Sequence, residues 1–323
     1  MAVFTEVSED EARALFARLK LGELRELRGI QGGIENTNYF ATTEHGGQRH
    51  DYVLTLFERL GFEQLPFYLH LMKHLAQRGI PVPDPAADAG GDILHTVCGK
   101  PAAVVDKLAG HSELAPTEAH CAAVGAMLAR MHLAARDYER RQPNLRGLPW
   151  WNETVPVVLP YLDAAQADLL RGELAFQNHV AASSAYAALP QGPVHADLFR
   201  DNVMFEDGRL TGFFDFYFAG VDTWLFDIAV CLNDWCIDLP TGRHVPGRAA
   251  AFVGAYAAVR PLCAAERQLL PALLRAGALR FWISRLWDFH LPREASLLQP
   301  HDPAHFERVL RERVAHPVTA ALL

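Results

Sequence analysis

The chain is 323 residues long, half of them hydrophobic and 21% charged, with a formal net charge of −8 at pH 7. That length and apolar content support two compact lobes with their own cores, and exclude an intrinsically disordered or fibrous chain. The acidic balance excludes the basic footprint of a nucleic-acid-binding protein. The five cysteines (Cys98, Cys121, Cys231, Cys236, Cys263) are scattered without a C-x-x-C pair, as in a reduced protein and unlike a disulfide framework or zinc site. No stretch reaches the roughly 18 apolar residues of a membrane span. Residues 1–6 lack the basic and apolar parts of a secretory signal. A cytoplasmic protein with no membrane or nucleic-acid partner is expected; its oligomeric state is left open.

In chain order, Ser8-Glu9-Asp10-Glu11 opens a helix with Ala12, Leu15, Phe16 and Leu19 at helical spacing. Gly29-x-x-Gly32-Gly33 precedes two strands, Asn38–Thr42 and Asp51–Phe57, split by a turn at Gly46-Gly47. Glu63–Arg78 reads as a helix closed by Gly79 and the proline-rich 81–85 stop. Ile93–Val97 and Pro101–Leu108 form another strand pair around Cys98-Gly99-Lys100. Thr117–Ala135 begins a mostly helical remainder. The pattern is α+β: an N-terminal sheet lobe with one main helix over residues 1–101, a connection at 102–110, and a larger helical lobe over 111–323.

The most informative stretch is His195-Ala196-Asp197-Leu198-Phe199-Arg200-Asp201-Asn202, then an apolar run, the Asp207-Gly208 turn, and a second run ending at Asp215. Asp-Gly between two apolar runs is a hairpin signal. A regular two-residue turn there sets Asn202 opposite Phe213, with Asp215 about 7 Å away diagonally. Phosphoryl transfer needs a carboxylate to take a hydroxyl proton and oxygen ligands to hold Mg²⁺ on the phosphates. His195-x-Asp197-x₄-Asn202 followed by Asp215 has the spacing of a kinase catalytic loop and its metal Asp. His195 is expected to brace the loop.

With these residues, the sequence resembles the aminoglycoside phosphotransferase and choline kinase superfamily, and within it the homoserine kinases. Further marks are Gly33–Phe40, Tyr52–Glu58, Gly147–Asn152, Phe214–Ala219, Asn233–Cys236 and Leu279–Leu286. The resemblance implies a bilobal protein-kinase-like fold and transfer of the γ-phosphoryl group of ATP to the side-chain hydroxyl of L-homoserine, a step of threonine biosynthesis. It implies Asp197 as catalytic base, Asn202 and Asp215 as Mg²⁺ ligands, and Gly32, Gly33, Asn36 and Asn38 in the nucleotide loop. Val105 and Lys107 fall on the backbone hinge for adenine, and Asp227 on a buried support of the catalytic loop. Two features depart from the pattern. Thr55 stands where a phosphate-binding Lys is usual, and the helix at 63–78 has no central Glu to pair with one.

Homoserine is a zwitterion, so its pocket calls for a carboxylate facing the ammonium and an Arg facing the carboxylate. Asp227, Cys231 and Asp234 share one helix face, making Asp234 the ammonium candidate; Arg280 or Arg285 would take the carboxylate. The competing readings are a choline or aminoglycoside phosphotransferase of the same fold and a nucleotide-binding regulator without catalysis. Residues 195–240 hold nine acidic residues against two arginines. Nearly all the net charge therefore sits at the expected site, which favours a bound cation.

Overall fold

Two glycines in the left-handed region, Gly46 (φ 57°) and Gly47 (φ 78°), reverse the chain between its two longest strands. The computed structural model describes residues 5–30, 36–291 and 301–317. It divides into two units, one ending at Ala109 and one beginning at Gly110.

The first unit runs α1 (Glu9–Arg18), β1 (Glu23–Gly29), β2 (Asn36–His45), β3 (Gln48–Phe57), α2 (Leu65–Gln77), β4 (His95–Val97) and β5 (Lys100–Asp106). Its five strands form an antiparallel sheet in the order β1-β2-β3-β5-β4. Burial alternates along β2, with Thr37, Tyr39, Ala41 and Thr43 inward. Tyr39 and Ala41 join Leu54, Leu56, Ala102 and Val104 against Ala12, Leu15 and Phe16 of α1. This apolar layer holds α1 to the sheet, while Ser8 caps the helix by accepting the Glu11 N–H at 3.3 Å. Strand β1, with only Leu24 buried among charged neighbours, is an element that hydrophobic patterning missed. Both β2 and β3 extend beyond their apolar cores because the ladder continues through exposed residues to the turn. Helix α2 starts at Leu65 and not at Glu63; Pro66 in its first turn presets the helical φ there.

The second unit contains β6 (His111–Ser112), α3 (Glu118–Ala134), α4 (Leu148–Val158), α5 (Ala164–Ala181), α6 (Ser184–Ala187), β7 (Gln191–Val194), β8 (Val203–Glu206), β9 (Arg209–Phe213) and β10 (Gly220–Thr223), then α7 (Trp224–Trp235), α8 (Pro246–Val259), α9 (Ala264–His290) and α10 (Ala304–Ala315). Two small sheets, β6-β8-β9 and β7-β10, carry the catalytic stretch. The long α9 is the packing axis: α4, α5, α7 and α10 all lie against it. Asn233 pins this arrangement, donating to the Leu274 carbonyl at 2.7 Å and accepting from Arg313 Nε at 2.9 Å. Helices α3 and α8 form the other close pair. No helix among the described residues is long and apolar enough to cross a membrane.

The approach of α3 to α8 depends on Gly125, where an added Cβ would overlap the Phe252 carbonyl. Since backbone cannot yield as a flexible side chain would, Gly125→Ala is expected to cost about 1–3 kcal/mol. A lowered urea midpoint with an unchanged slope would show it.

Candidate active site

The catalytic stretch begins where β7, paired antiparallel with β10, ends at Val194. Ala196 then adopts φ 65°, a left-handed conformation that is costly for a residue with a Cβ. It is held there by the buried Asp227 carboxylate, whose oxygens accept the His195 and Ala196 N–H groups, each at 2.7 Å. His195 is fixed by backbone at both ring nitrogens. With Nε2 2.9 Å from the Phe214 carbonyl, that nitrogen carries the proton, and Nδ1 accepts the Asp197 N–H at 3.3 Å. Burial lowers the pKa of this ring and keeps it neutral.

One face of α7 follows the loop residue by residue. Asp227 holds positions 195 and 196; Cys231 Sγ and Trp235 Nε1 donate to the Leu198 carbonyl at 3.5 and 3.0 Å; Asp234 Oδ2 accepts the Arg200 N–H at 2.8 Å and its Nε at 3.1 Å. The Arg200 guanidinium also donates to the Leu114 and Asp234 carbonyls. The expected shared face of Asp227, Cys231 and Asp234 is thus present, but it grips the loop. Asp234, expected at the substrate ammonium, is found paired with Arg200.

Asn202 is oriented by its Nδ2, which donates to the Asp197 carbonyl at 2.8 Å and lies 3.5 Å from Oδ2. The amide oxygen is therefore the end left to meet a cation. Opposite it stands Phe214, whose N–H donates to the Asn202 carbonyl at 3.0 Å, and not Phe213. The hairpin has the expected Asp207-Gly208 turn, but Met204 pairs with Gly212 and Phe205 with Leu210. Thr211 is the extra residue of a β-bulge, which shifts the register by one and sets Asp215 one residue beyond the Asn202 partner. Asp215 itself is left-handed (φ 68°, ψ 58°) at the head of the Phe216–Phe218 turn.

Burial pushes the Asp197 pKa up to about 8; nearby Arg280 opposes this, while Asp215, Asp201 and Asp234 add to it. Arg280 Nη1 lies 4.0 Å from Asp197 Oδ1, and its guanidinium sits over the Phe281 and Phe218 rings at 3.8 and 5.1 Å. Although Arg280 is only 4% exposed, its Nε and Nη2 have no hydrogen-bond partner among the described residues. Burial depresses its pKa to about 10. Buried, unpaired N–H groups on a cation are costly unless an anion meets them. Arg285, in contrast, donates to the Asp302 carbonyl at 3.2 Å and lies over Phe306.

In the first unit, Gly32 and Gly33 lie outside the described residues. Asn36 pairs with Phe57 at the end of the sheet, and Asn38 Oδ1 accepts a 2.7 Å hydrogen bond from Thr55, directly across the ladder. Thr55 is buried in the place of the usual Lys. A Lys–Glu pair forms elsewhere: Lys100 meets Glu58, which also accepts from Thr37 and Thr5. In mid-α2, Lys73 binds Asp84 at 2.9 Å. Val105 pairs with Val53 and Pro85, and the Lys107 N–H is donated to the Asp51 carbonyl at 3.0 Å. The Lys107 N–H is thus engaged within the sheet lobe, and its ammonium lies over Phe40.

Sequence reasoning missed His132, Tyr256, Arg260 and Glu266, all buried around Asp227. Each lies in a helix or its cap, and only the fold brings them together.

Among the described residues no three His, Cys, Asp or Glu side chains form a metal cluster. Asn202 and Asp215 fit a cation of another kind, one that keeps water and ligand oxygens in its shell, as Mg²⁺ does.

A buried carboxylate with an Asn and a second Asp close by, on a loop backed by α7, is the donor set that phosphoryl transfer calls for. The chain matches the phosphotransferase enzyme family over residues 26–262 and belongs to it. Its curated relatives include a protein named homoserine kinase in Polaromonas naphthalenivorans, 73% identical over 98% of this chain and 99% of the relative. Another of that name, in Cupriavidus necator, is 61% identical over 100% and 99%. Within the family the chain thus stands among the homoserine kinases. The fold is protein-kinase-like: amicoumacin kinase, solved with AMP-PNP and Ca²⁺, aligns with a TM-score of 0.70 at 20% identity, covering 97% of this chain and 95% of that one. Choline kinase from Cryptosporidium parvum aligns with a TM-score of 0.63 at 11% identity, covering 90% and 88%.

The unfolded chain releases the Asp197 proton near 3.8, the ligand-free fold near 8. In that window the fold binds more protons than the unfolded chain, so stability falls as pH rises. Asp197→Asn is expected to flatten this slope and to melt above the parent at about pH 8, as calorimetry of ligand-free protein would show.

Proposed function

We propose that the protein transfers the γ-phosphoryl group of ATP to the side-chain hydroxyl of L-homoserine, giving O-phospho-L-homoserine and ADP, in threonine biosynthesis. The observation that carries this reading is the pairing of Asp197 with Arg280, whose Nε and Nη2 are buried without partners among the described residues. An alcohol-activating carboxylate beside a carboxylate-binding guanidinium fits a hydroxy amino acid. It does not fit choline, which has no carboxylate. The names of the 73% and 61% identical relatives support the same substrate.

In this reading Asp197 orients the hydroxyl and accepts its proton as the oxygen attacks phosphorus. Arg280 binds the α-carboxylate through Nε and Nη2 and steadies the Asp197 charge through Nη1. The ammonium of the incoming substrate adds positive charge to an acidic site and brings the Asp197 pKa down toward working pH. Asn202 and Asp215 would hold Mg²⁺, which neutralises phosphate charge when bound. Asn36 and Asn38 stand beside the glycine loop expected to face the phosphates, and backbone near Val105 is expected to meet adenine.

ADP release should be seen with homoserine and be absent or much weaker with choline and aminoglycosides. Turnover with one of those and none with homoserine would overturn the assignment. Asp197→Asn should lose about 10²–10⁴ in kcat while retaining nucleotide binding. A nucleotide-binding regulator would show no homoserine-dependent ADP release at all. Arg280→Gln should raise the KM for homoserine about ten- to a hundredfold, with little change in that for ATP. On 3-aminopropan-1-ol, which lacks the carboxylate, the KM of the variant should stay close to that of the parent, any fall in kcat being shared with homoserine.

A further inference from the structure

We propose that Tyr256 and His132 are positioning residues of the catalytic loop, acting through a directed hydrogen-bond relay that ends on Asp227. The proposal rests on the reading of Asp197 as base, and the inventory of donors and acceptors defines it. At one end Arg260 Nε lies 2.8 Å from Tyr256 Oη. A guanidinium only donates, so Oη accepts there and its own proton is left for His132 Nδ1, also 2.8 Å away. An imidazole accepting at Nδ1 carries its proton on Nε2, which lies 3.0 Å from Asp227 Oδ2. The carboxylate only accepts, and its remaining capacity takes the N–H groups of His195 and Ala196. A donor-only group at one end and an acceptor-only group at the other fix every proton between them.

The relay joins four helices. His132 comes from α3, Asp227 from α7, and Tyr256 with the capping residue Arg260 from α8. Glu266 in the first turn of α9 pairs with Arg260 through both carboxylate oxygens. His132, Asp227 and Glu266 are fully buried, and the His132 ring stacks on Trp224 at 5.3 Å. The charged groups facing His132 are Asp227, Arg260 and Glu266; burial outweighs them and keeps the imidazole neutral. A second ring proton would leave Tyr256 Oη facing two donors with its own proton displaced. Ala196, the residue the relay holds in its left-handed conformation, immediately precedes Asp197. A turn of the Asp227 carboxylate therefore moves the base.

Tyr256→Phe removes one oxygen and keeps the ring; His132→Gln keeps a donor for Asp227, and His132→Leu does not. Tyr256→Phe is expected to lower kcat about tenfold or more with both KM values little changed, since small misplacements of a reacting group are costly. His132→Gln should retain a larger share of kcat than His132→Leu. ¹⁵N-imidazole NMR of the full chain should show His132 as the Nε2–H tautomer from about pH 5.5 to 8, below and above the ordinary His pKa. In Tyr256→Phe the Nε2–H tautomer should persist, since Asp227 still accepts there, while the Nδ1 resonance, having lost its donor, and the Ala196 amide shift should both move. Wild-type kcat and an unmoved Ala196 amide in folded Tyr256→Phe would overturn the proposal, as would an Nδ1–H tautomer in the parent. Equal kcat losses for Gln and Leu that track melting temperature would also overturn it. The NMR arms need no acceptor, so absent homoserine turnover would sink the functional reading and leave the relay to be decided by the spectra.

Discussion

The catalytic half of this molecule depends on one carboxylate. Asp227 is fully buried, a location in which a carboxylate without hydrogen-bond donors would be costly. It is instead surrounded by three donors, two of them consecutive backbone N–H groups in a turn that a residue with a Cβ adopts reluctantly. The side chain and the turn require each other: the N–H groups converge only because Ala196 is left-handed, and Ala196 stays so because the Asp227 oxygens are there to receive them. From that point the rest of α7 continues the same contact, and the loop from His195 to Arg200 is read against a rigid rod with the period of a helix.

This division of labour explains why the acidity is concentrated between residues 195 and 240. Some of those carboxylates do structural work on the loop, as Asp227 and Asp234 do. Asp222 belongs to the same group, accepting from Asn144 at 2.8 Å. Asp238 accepts from Thr241, Glu206 and Asp207 are exposed at the hairpin end, and Asp197 and Asp215 are the pair proposed to face a ligand. Repulsion among the carboxylates acts on Asp197, whose pKa Asp215, Asp201 and Asp234 push up against the opposing pull of Arg280. A cluster of this kind is electrostatically unfavourable by itself, and a cationic ligand group would relieve it.

Much of this was legible in the sequence, for identifiable reasons. The Asp207-Gly208 turn, the Gly46-Gly47 turn and the Ser8 cap are local, and local chemistry determines them. The common face of Asp227, Cys231 and Asp234 follows from helical period alone. What that face contacts does not, which is why Asp234 was expected at a substrate and is found on Arg200. The bulge at Thr211 left no trace in the pattern, because Leu210 and Gly212 are compatible with either register. Strand β1 was hidden for the opposite reason: it is covered on too little of its surface to need alternating apolar residues. His132 and Tyr256, 124 positions apart, are joined only by the packing of α3 on α8.

The bulge has an implication for how this hairpin tolerates changes of length. The tip at Asp207-Gly208 projects beyond the last paired residues, Glu206 and Arg209, so residues inserted there extend the loop outward and leave the ladder beneath it intact. Thr211 is different. Removing it would restore a regular ladder, advance the following strand by one position and exchange the faces of Phe213 and Phe214. The Phe214 carbonyl that receives His195 would then face away, and Asp215 would be carried off with it. The two arms of one short hairpin are thus unequal in what they permit: its tip is open to drift in length, and its return strand is counted residue by residue.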